Sequence, residues 1–373
     1  MLNAYKYRMY PTKEQEEMFF QHFGACRYIY NWALEQKIKT YEQDGKSISR
    51  FDLNKGISML KRDGEHEWLK DVNSQSLQGA TLNLDNAFTN FFREKKGFPK
   101  FKSRKNPVQA FNVPQNYKVD FENNRIYLPK IGNVKTILHR QYGDGDLKTA
   151  TVSRTPTGKY YISILVDDGA EIPKKPGFSI NDTVGVDVGI KDFAITSNGD
   201  KIDNPRHLKN SMKRLKVLSK RLSKKQKCSK NRNKARHQVA KLHEKISNQR
   251  HDFQHKVSTK LISENQAIAV ETLNVSGMLK NHCLAQHIAD ASWTSFITKL
   301  EYKAEWYGKT ILRIGRFEPS TKICNVCGYY NGSITLADRE WECPDCNTHH
   351  DRDINAAINI KKFALQEQNL IGI

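Results

Sequence analysis

The chain has 373 residues, with 61 Lys and Arg against 40 Asp and Glu, which gives a formal net charge of +21. Such an excess favours nucleic acid as the partner of a chain that is long enough for two or three hydrophobic cores. An anionic membrane is the competing explanation, and the sequence argues against it because it has neither a long apolar span nor a signal-peptide pattern.

The N-terminus has the signals of a strand followed directly by a helix. Residues 1–11 alternate like a strand that ends at Pro11. Thr12 and Gln15 then have the pattern of a helix capping box. Apolar residues at helical spacing follow, so we expect an amphipathic helix that reaches to about Glu42.

Two more helical regions are predicted by the same spacing, over residues 51–69 and from Ser74 onward. Their apolar stripes are expected to be helix core, so any base reading would take place on the polar faces, where Gln78 is our candidate. The segment 97–105 interleaves Phe with cations, a composition that can stack on bases and meet phosphates, although a solvated basic loop is the alternative. Its candidate contacts are Lys100, Lys102, Arg104 and Lys105.

The pattern changes to strands between residues 110 and 167. An Asn-Asn turn at 123–124 and a Thr-Pro-Thr-Gly turn at 155–158 predict two hairpins. We therefore expect a small β-barrel over 106–170 that residues 1–11 join, with 12–105 as a helical insertion. A Pro- and Gly-containing linker over 171–182 would follow.

Two later apolar strands each carry a carboxylate. Residues 183–196 read as an apolar strand with Asp187 in its middle and then a second strand, and the strand 267–271 ends on Glu271. A buried carboxylate is costly unless it is paired or binds a metal. These two acids are therefore candidates for a functional site, and a purely structural acid is the alternative.

Residues 206–254 are the most basic stretch, and between Arg206 and Arg250 the only acid is Glu244. Apolar residues at helical spacing on both sides of a basic turn predict a helical hairpin that is apolar inside and cationic outside. A cationic face repels itself unless a polyanion neutralises it, and a solvated face is the alternative. The candidate nucleic-acid contacts here are Arg214, Arg221 and Arg232.

The most specific motif is a set of four cysteines in two C-x₂-C pairs, separated by fifteen residues. This spacing is typical of a structural zinc site, in which metal binding contributes on the order of 10 kcal/mol to local folding. Four thiolates leave no open position for catalysis, so His349 and His350 stay outside the ligand set. The expected zinc ligands are Cys324, Cys327, Cys343 and Cys346. The other cysteines, Cys26, Cys228 and Cys283, show no disulfide framework, which suits a reducing cytosol.

An acidic pair, Asp351 and Asp353, stands at the head of the last predicted helix, just after these cysteines. Phosphodiester hydrolysis uses clustered carboxylates, because two divalent cations about 3.5–4 Å apart activate a water and stabilise the leaving oxygen. Without metal, crowded carboxylates repel and raise at least one pKa. We expect Asp187, Glu271 and Asp353 to form a magnesium site, although spacing alone does not establish that the three meet.

Six segments together carry a family resemblance: A-Y-K-Y-R-M-Y-P-T at 4–12, F-G-A-C-R-Y-I-Y-N-W-A-L at 23–34, L-P-K-I-G at 128–132, V-G-V-D-V-G-I at 184–190, C-N-V-C-G at 324–328 and D-R-D-I-N-A-A-I-N-I at 351–360. They resemble the TnpB (OrfB-type) proteins of bacterial and archaeal insertion sequences. Those proteins are RNA-guided DNA endonucleases related to the type V CRISPR effectors. The resemblance extends over nearly the whole chain.

The fold that this resemblance implies is an α+β multidomain protein, with an N-terminal β-barrel carrying a helical insertion and then an RNase-H-like (RuvC) α/β nuclease domain with an inserted zinc ribbon. The nuclease domain would occupy 183–320, including the basic hairpin 206–254. The zinc ribbon would occupy 321–348, and 349–373 would be the last nuclease segment.

The site that the resemblance implies is a triad of Asp187, Glu271 and Asp353, with Asp351 as a neighbour and Asn355 as a support behind the metal ligands. Its cofactors would be two Mg²⁺, a structural Zn²⁺ and a guide RNA derived from the transposon end. The barrel and its helical insertion would hold the guide and recognise a short motif that flanks a double-stranded target DNA. We expect such a protein in the prokaryotic cytoplasm at the nucleoid, and the sequence leaves its oligomeric state open.

Two other functions are weighed against a nuclease: an RNA-guided DNA-binding repressor without cleavage, and a transposase that acts directly. Repressors of this family lose the acidic triad, whereas all three acids stand here, which favours cleavage. One departure from the family is Glu318 before Pro319, where an uncharged residue is expected. It leaves the three acids unchanged.

Overall fold

The computed structural model describes residues 1–335 and 337–370, and the chain divides into two compact units, Met1–Glu171 and Ile172–Ile373. The predicted zinc ribbon includes residue 336, and the predicted last nuclease segment includes residues 371–373. Those four positions lie outside the described residues.

The first unit is one antiparallel sheet with helices inserted after its first strand. Its elements in chain order are β1 (Leu2–Tyr10), α1 (Lys13–Asp44), α2 (Arg50–Leu60), a 3-10 helix (Glu67–Asp71), α3 (Ser74–Arg93), β2 (Gln109–Val113), β3 (Lys118–Asp120), β4 (Arg125–Leu128), β5 (Gly132–Ile137), β6 (Asp146–Arg154) and β7 (Tyr160–Asp167). The predicted Asn-Asn and Thr-Pro-Thr-Gly hairpins are confirmed by the pairings of β3 with β4 and of β6 with β7.

The strand order of this sheet is β2-β6-β7-β1-β5-β4-β3. β1 lies at the centre and runs antiparallel to both neighbours, with Tyr7 opposite Ile162 and Tyr10 opposite Lys135. Tyr7 and Met9 alternate with more exposed residues and are buried, as the alternating sequence predicts.

The predicted closed barrel is not formed, because the edge strands β2 and β3 have no recorded pairing with each other among the described residues. The sheet is open instead. β2 lies under the helices, where Phe111 contacts Phe19 and Phe23 with ring centroids 6.2 and 5.4 Å apart. β3 is only three residues long. Closure depends on whether two distant edges meet, and the local hairpin signals carry no information on this.

The predicted capping box at the start of α1 is confirmed. The Thr12 hydroxyl accepts the Gln15 amide hydrogen, and the Gln15 side chain accepts the Thr12 amide hydrogen. Such a cap stabilises a helix by about 1 kcal/mol. The second predicted helical region ends earlier than expected, since α2 stops at Leu60 and a separate 3-10 helix follows.

The described part of the second unit is built on a mixed five-stranded sheet. Its elements in chain order are β8 (Thr183–Asp187), β9 (Asp192–Thr196), β10 (Lys201–Asp203), α4 (His207–Ser223), α5 (Lys230–Glu264), β11 (Ala267–Glu271), α6 (Val275–Met278), α7 (Ala285–Ala291), α8 (Trp293–Trp306), β12 (Thr310–Ile314), β13 (Glu340–Glu342), β14 (His349–Asp351) and α9 (Arg352–Glu367). The order is β10-β9-β8-β11-β12, in which β8, β11 and β12 are parallel to one another and β9 is antiparallel to both of its neighbours, β8 and β10.

Both faces of this sheet are covered by helices, which explains the unbroken apolar runs of β8 and β11. Ile268 and Val270 of β11 pack in a cluster with α5 and α8, whereas Ala267 and Ala269 pack on the opposite face with Ile360 of α9. α9 lies close against β8, since a Cβ on Gly185 would clash with the carbonyl oxygen of Ala357. This contact fixes the start of α9 near the end of β8.

The predicted basic hairpin is present as α4 and α5, although α5 continues to Glu264. Asp290 caps α4 by accepting the amide hydrogens of Leu208 and Lys209 at 2.8 and 2.9 Å. No helix among the described residues is long and apolar enough to cross a membrane.

Candidate active site

Two of the predicted carboxylates end adjacent parallel strands. Asp187 is the last residue of β8 and Glu271 the last residue of β11, and the two strands are in register with Val186 opposite Val270. The carboxyl ends of neighbouring parallel strands meet at one edge of a sheet, which is where α/β proteins place their sites. Asp353 stands in the first turn of α9.

The charges of Glu271 and Asp353 both act on Asp187. The pKa of Asp187 is raised from its ordinary value of 3.8 to about 8, first by burial and then by the negative charges of Glu271 and Asp353. Arg352 and the backbone amide of Val188 offset only part of this. Asp187 is thus a carboxyl group that lacks sufficient positive charge around it.

Asp353 is held by two guanidinium groups. Its Oδ1 accepts from Nε and Nη2 of Arg352 at 2.9 and 2.7 Å, and its Oδ2 accepts from Arg339 at 3.2 Å. Asp351 instead caps α9, because its Oδ1 accepts the amide hydrogens of Asp353 and Ile354. Its Oδ2 accepts from the Lys201 ammonium.

Glu271 is bound by a residue that sequence reasoning missed. The buried Ser320 donates its hydroxyl hydrogen to Oε1 of Glu271 at 2.6 Å. The carbonyl oxygen of Ser320 in turn accepts from Asn359 of α9 at 2.7 Å. The sequence signal for it is weak, because Ser320 stands alone after Pro319 with no periodic pattern around it.

The four predicted zinc ligands form a compact cluster, with their sulfur atoms within 4.8 Å of one another. Cys324 and Cys346 are 3.7 Å apart, and Cys327 and Cys343 are 3.5 Å apart. Sulfurs bound to one tetrahedral zinc at about 2.3 Å lie about 3.8 Å apart, so the cluster fits this ion. His350 packs on Trp341, and its Nε2 lies 3.1 Å from the Cys324 sulfur.

Comparison with known proteins agrees with these features. Family models described as "Probable transposase", "Cas12f1-like, TNB domain" and "Helix-turn-helix domain" match residues 164–282, 293–360 and 1–46. A Streptomyces pristinaespiralis protein with the provisional name RNA-guided DNA endonuclease is 38% identical over 359 residues, which cover 96% of this chain and 88% of the relative. The chain belongs to the TnpB (OrfB) family.

Another member, InsQ of Escherichia coli K12, carries the same provisional name and is 33% identical over 374 residues, which cover 96% of this chain and 91% of the relative. Among solved structures, a Cas12f1–sgRNA–target DNA complex matches with a TM-score of 0.57 and 15% identity, over 97% of this chain and 98% of that one. At this identity the likeness concerns the fold alone. Residues 1–46 form β1, α1 and the turn after it rather than two helices joined by a turn.

Asn355 of this TnpB-family chain contacts the zinc knuckle, which we define as residues 320–350. Its side chain donates to the carbonyl oxygen of Ile323 at 2.8 Å and accepts from the amide of Asn325 at 3.0 Å. No contact with a carboxylate is recorded for Asn355 among the described residues. Its support of the site would therefore act through the knuckle, whose start carries Ser320.

The predicted nucleic-acid contacts differ in their surroundings. Gln78 on α3 is exposed, as are Arg214 and Arg221 on α4. Arg232 is half-buried, and its guanidinium donates to the carbonyl oxygens of Leu222 and Lys225 at 3.1 and 3.0 Å. Arg232 therefore holds the turn of the hairpin together.

The predicted basic segment of the first unit is anchored by its backbone. Asn31 accepts from the Lys102 amide at 2.7 Å and donates to the Lys102 carbonyl oxygen at 2.9 Å, and the Lys102 ammonium lies 3.9 Å from the centre of the Tyr30 ring. The four cations of this segment are exposed: Lys100, Lys102, Arg104 and Lys105. Lys100, Arg104 and Lys105 are open to an anion in solution, whereas the Lys102 ammonium packs on Tyr30 and burial lowers its pKa.

Proposed function

We infer that the chain is a transposon-encoded RNA-guided DNA endonuclease whose cleavage site is formed by Asp187, Glu271 and Asp353. The two TnpB-family relatives described above carry the name of this activity and align with this chain over almost its full length. The observation that carries the assignment of residues is the placement of Asp187 and Glu271 at neighbouring strand ends, with the charge of Asp353 acting on Asp187.

The second unit has the organisation expected of an RNase-H-like (RuvC) domain. Three antiparallel strands followed by two parallel ones, with helices on both faces, support this proposal. The domain would begin at about residue 183 and end with α9, interrupted by the basic hairpin and by the zinc knuckle. In the first unit, the open sheet would be the wedge and residues 12–105 the recognition insertion.

Magnesium is the cation that this donor set fits, because carboxylate oxygens are hard ligands and Arg352 only partly compensates the negative charge around Asp187. When bound, two such ions supply an activated water and stabilise the leaving oxygen. Asp187, Glu271 and Asp353 would hold them. Arg352 and Arg339 donate to Asp353 and would share its carboxylate with the ions. Ser320 orients the Glu271 carboxylate by its bond to Oε1.

Zinc in the four-cysteine cluster would have a structural role. It would fold residues 320–350. At the start of this segment the Ser320 hydroxyl bonds Glu271, and its backbone carbonyl oxygens accept from Asn355 and Asn359 of α9. The cluster would thus act on the active site by positioning Ser320, which bonds Glu271, and α9, which carries Asp353.

A guide RNA from the transposon end and a double-stranded target DNA with a short flanking motif are the proposed partners. Their phosphates would be met by the exposed cations of α4, α5 and the segment 97–105, and guide pairing would supply the sequence specificity. A DNA target implies a location at the nucleoid. The repressor and transposase alternatives are less favoured because all three acids are present and the relatives are named as endonucleases.

The test is cleavage of a plasmid that carries a target matched to the RNA that co-purifies with the chain. We expect cleavage in Mg²⁺ and none in EDTA. Asp187→Ala should abolish cleavage while the RNA and the target remain bound. Wild-type cleavage by this variant would refute the residue assignment, and binding without cleavage by the wild type would favour the repressor.

A further inference from the structure

Two lysines of α8, Lys299 and Lys303, are buried, with 5% and 6% of their surface exposed. No carboxylate lies within ion-pair distance of either ammonium in the described part of the chain. Their hydrogen-bond acceptors are all neutral hydroxyl, amide or carbonyl oxygens. Lys303 donates to the His255 carbonyl, Ser258 and Thr259 at 2.9, 2.8 and 2.6 Å, and Lys299 donates to Gln254 and to both oxygens of Ser295 at 2.8–3.3 Å.

Two like charges buried one helical turn apart are unfavourable. Burial lowers the pKa of Lys303 to about 8, with a further contribution from the charge of Lys299, and burial also lowers the pKa of Lys299. Replacing buried charged groups by apolar residues of similar volume is often neutral or stabilising, so stability alone does not explain two buried lysines. The three ammonium hydrogens of Lys299 are already donated to Gln254 and Ser295, so an anion nearby would relieve this repulsion through its charge. The region is therefore suited to a negatively charged ligand.

Lys299 lines a cavity of about 580 Å³ between α5, the segment 275–292 and α8. Ligand pockets in proteins typically span about 300–1,000 Å³, so one nucleotide fits a space of this size. One side of the cavity carries polar groups from Ser295, Thr298 and Tyr302, next to Lys299. The other side is apolar, with Val275, Leu279 and Ile288.

We propose that this cavity binds one nucleotide of a single-stranded nucleic acid, with a phosphate beside Lys299 and the base against Val275, Leu279 and Ile288. A nucleotide has an anionic phosphate and an apolar base face, which match the polar wall and the apolar wall of the cavity. A base in a duplex is stacked between its neighbours and cannot enter a concave site, so the strand must be single. The proposal rests on the proposed function, which supplies two such strands: unpaired guide RNA and the displaced DNA strand.

The experiment measures binding of fluorescent dT₁₀ and U₁₀ to the full chain by anisotropy at several salt concentrations. Lys299→Met removes the charge, and Thr298→Trp fills the cavity from an exposed position without touching the buried lysines. Lys260→Met is the matched control, since it removes a cation from an exposed position on α5 outside the cavity.

We expect Lys299→Met to weaken binding about 3- to 10-fold and to reduce the log–log salt slope by about 0.7, the value for one single-strand phosphate contact. Thr298→Trp should weaken binding to a similar extent, and Lys260→Met should change it less than either. A larger effect with dT₁₀ identifies the DNA strand as the ligand, and a larger effect with U₁₀ identifies the guide. The proposal would be overturned if both cavity variants bound both oligonucleotides with the affinity and the salt slope of the wild type.

A second measurement locates the strand directly, by cross-linking oligonucleotides that contain 4-thiothymidine or 4-thiouridine. Adducts on peptides that contain Val275–Leu279 or Tyr302 are expected, and adducts confined to other regions would overturn the proposal. Asp187→Ala keeps the cavity intact. If it binds oligonucleotides as the wild type does while the wild type cuts no target, the proposed function fails and the cavity stands.

Discussion

The Ser320 hydroxyl donates a hydrogen bond of 2.6 Å to Oε1 of Glu271, and it thereby joins the start of the zinc knuckle to a proposed metal ligand. Ser320 is 3% exposed, so water does not replace this donor readily when it is lost. The bond directs one carboxylate oxygen and leaves the other available to a cation.

We expect Ser320→Ala to slow target cleavage about tenfold, because a bond from a buried hydroxyl to a carboxylate contributes on the order of 1–2 kcal/mol to its orientation. Guide RNA affinity should not change, since Ser320 is buried and its hydroxyl is engaged with Glu271. The measurement is single-turnover cleavage at saturating Mg²⁺. Ser263→Ala, an exposed serine near the end of α5, is the control. Equal rates for Ser320→Ala and the wild type would show that the bond does not position Glu271.

Asp187 and Glu271 could be selected from the sequence because each lies in or ends an apolar strand, where a carboxylate is costly. Asp353 stands in the first turn of a helix, where a carboxylate is favourable, so only the family resemblance selects it. The pairing of β8 with β11 could not, since it joins residues more than eighty positions apart through non-local contacts. The sequence does not distinguish Arg232 from the exposed arginines, because only the geometry of the turn reveals its carbonyl partners. Lys299 and Lys303 also give no local signal, because nothing in the helical pattern of α8 tells a buried lysine from a surface one.

Asp187→Asn is expected to stabilise the metal-free protein. The pKa of Asp187 is raised to about 8, so its contribution to stability is complete below the ordinary pKa of 3.8 and is lost as the pH rises toward 8. Asparagine carries no charge and does not suffer this loss. In EDTA we expect the variant to melt at least about 3 °C above the wild type at pH 8, with a smaller difference at pH 5.

Thermal unfolding of both proteins with and without Mg²⁺ measures this effect. The cation should raise the melting temperature of the wild type and have less effect on Asp187→Asn. Asp200→Asn, at an exposed turn position, provides the comparison for the loss of a negative charge as such. A wild type that is insensitive to pH and to Mg²⁺ would contradict both the raised pKa and the metal site.

Cys324→Ser should release the zinc and loosen the start of α9. Zinc binding contributes on the order of 10 kcal/mol to the folding of such a cluster, and Asn355 and Asn359 hold α9 to the Ile323 carbonyl oxygen just before Cys324. We expect faster proteolysis within residues 320–350, with the first unit still protected. Zinc content is measured by atomic absorption, and Cys283→Ser, an exposed cysteine outside the cluster, should keep its metal. Normal protease resistance without zinc would argue against a structural role.

The three candidate arginines of the α4–α5 hairpin differ in their surroundings, since two are exposed and Arg232 is half-buried. Arg214 and Arg221 are exposed, so each of Arg214→Ala and Arg221→Ala should lower the log–log salt slope of guide RNA binding by about 0.9 per lost duplex-phosphate contact. Arg232→Ala instead removes the guanidinium donor of the Leu222 and Lys225 carbonyl oxygens, of which Leu222 still accepts from the Lys225 amide. It should lower the free energy of unfolding of the hairpin by about 1–2 kcal/mol and expose the turn at 224–229 to protease.

Salt titrations of RNA binding and limited proteolysis measure the two effects separately. An unchanged slope in the double variant Arg214→Ala/Arg221→Ala would remove this face as the RNA-binding surface, and a protected turn in Arg232→Ala would remove its structural role.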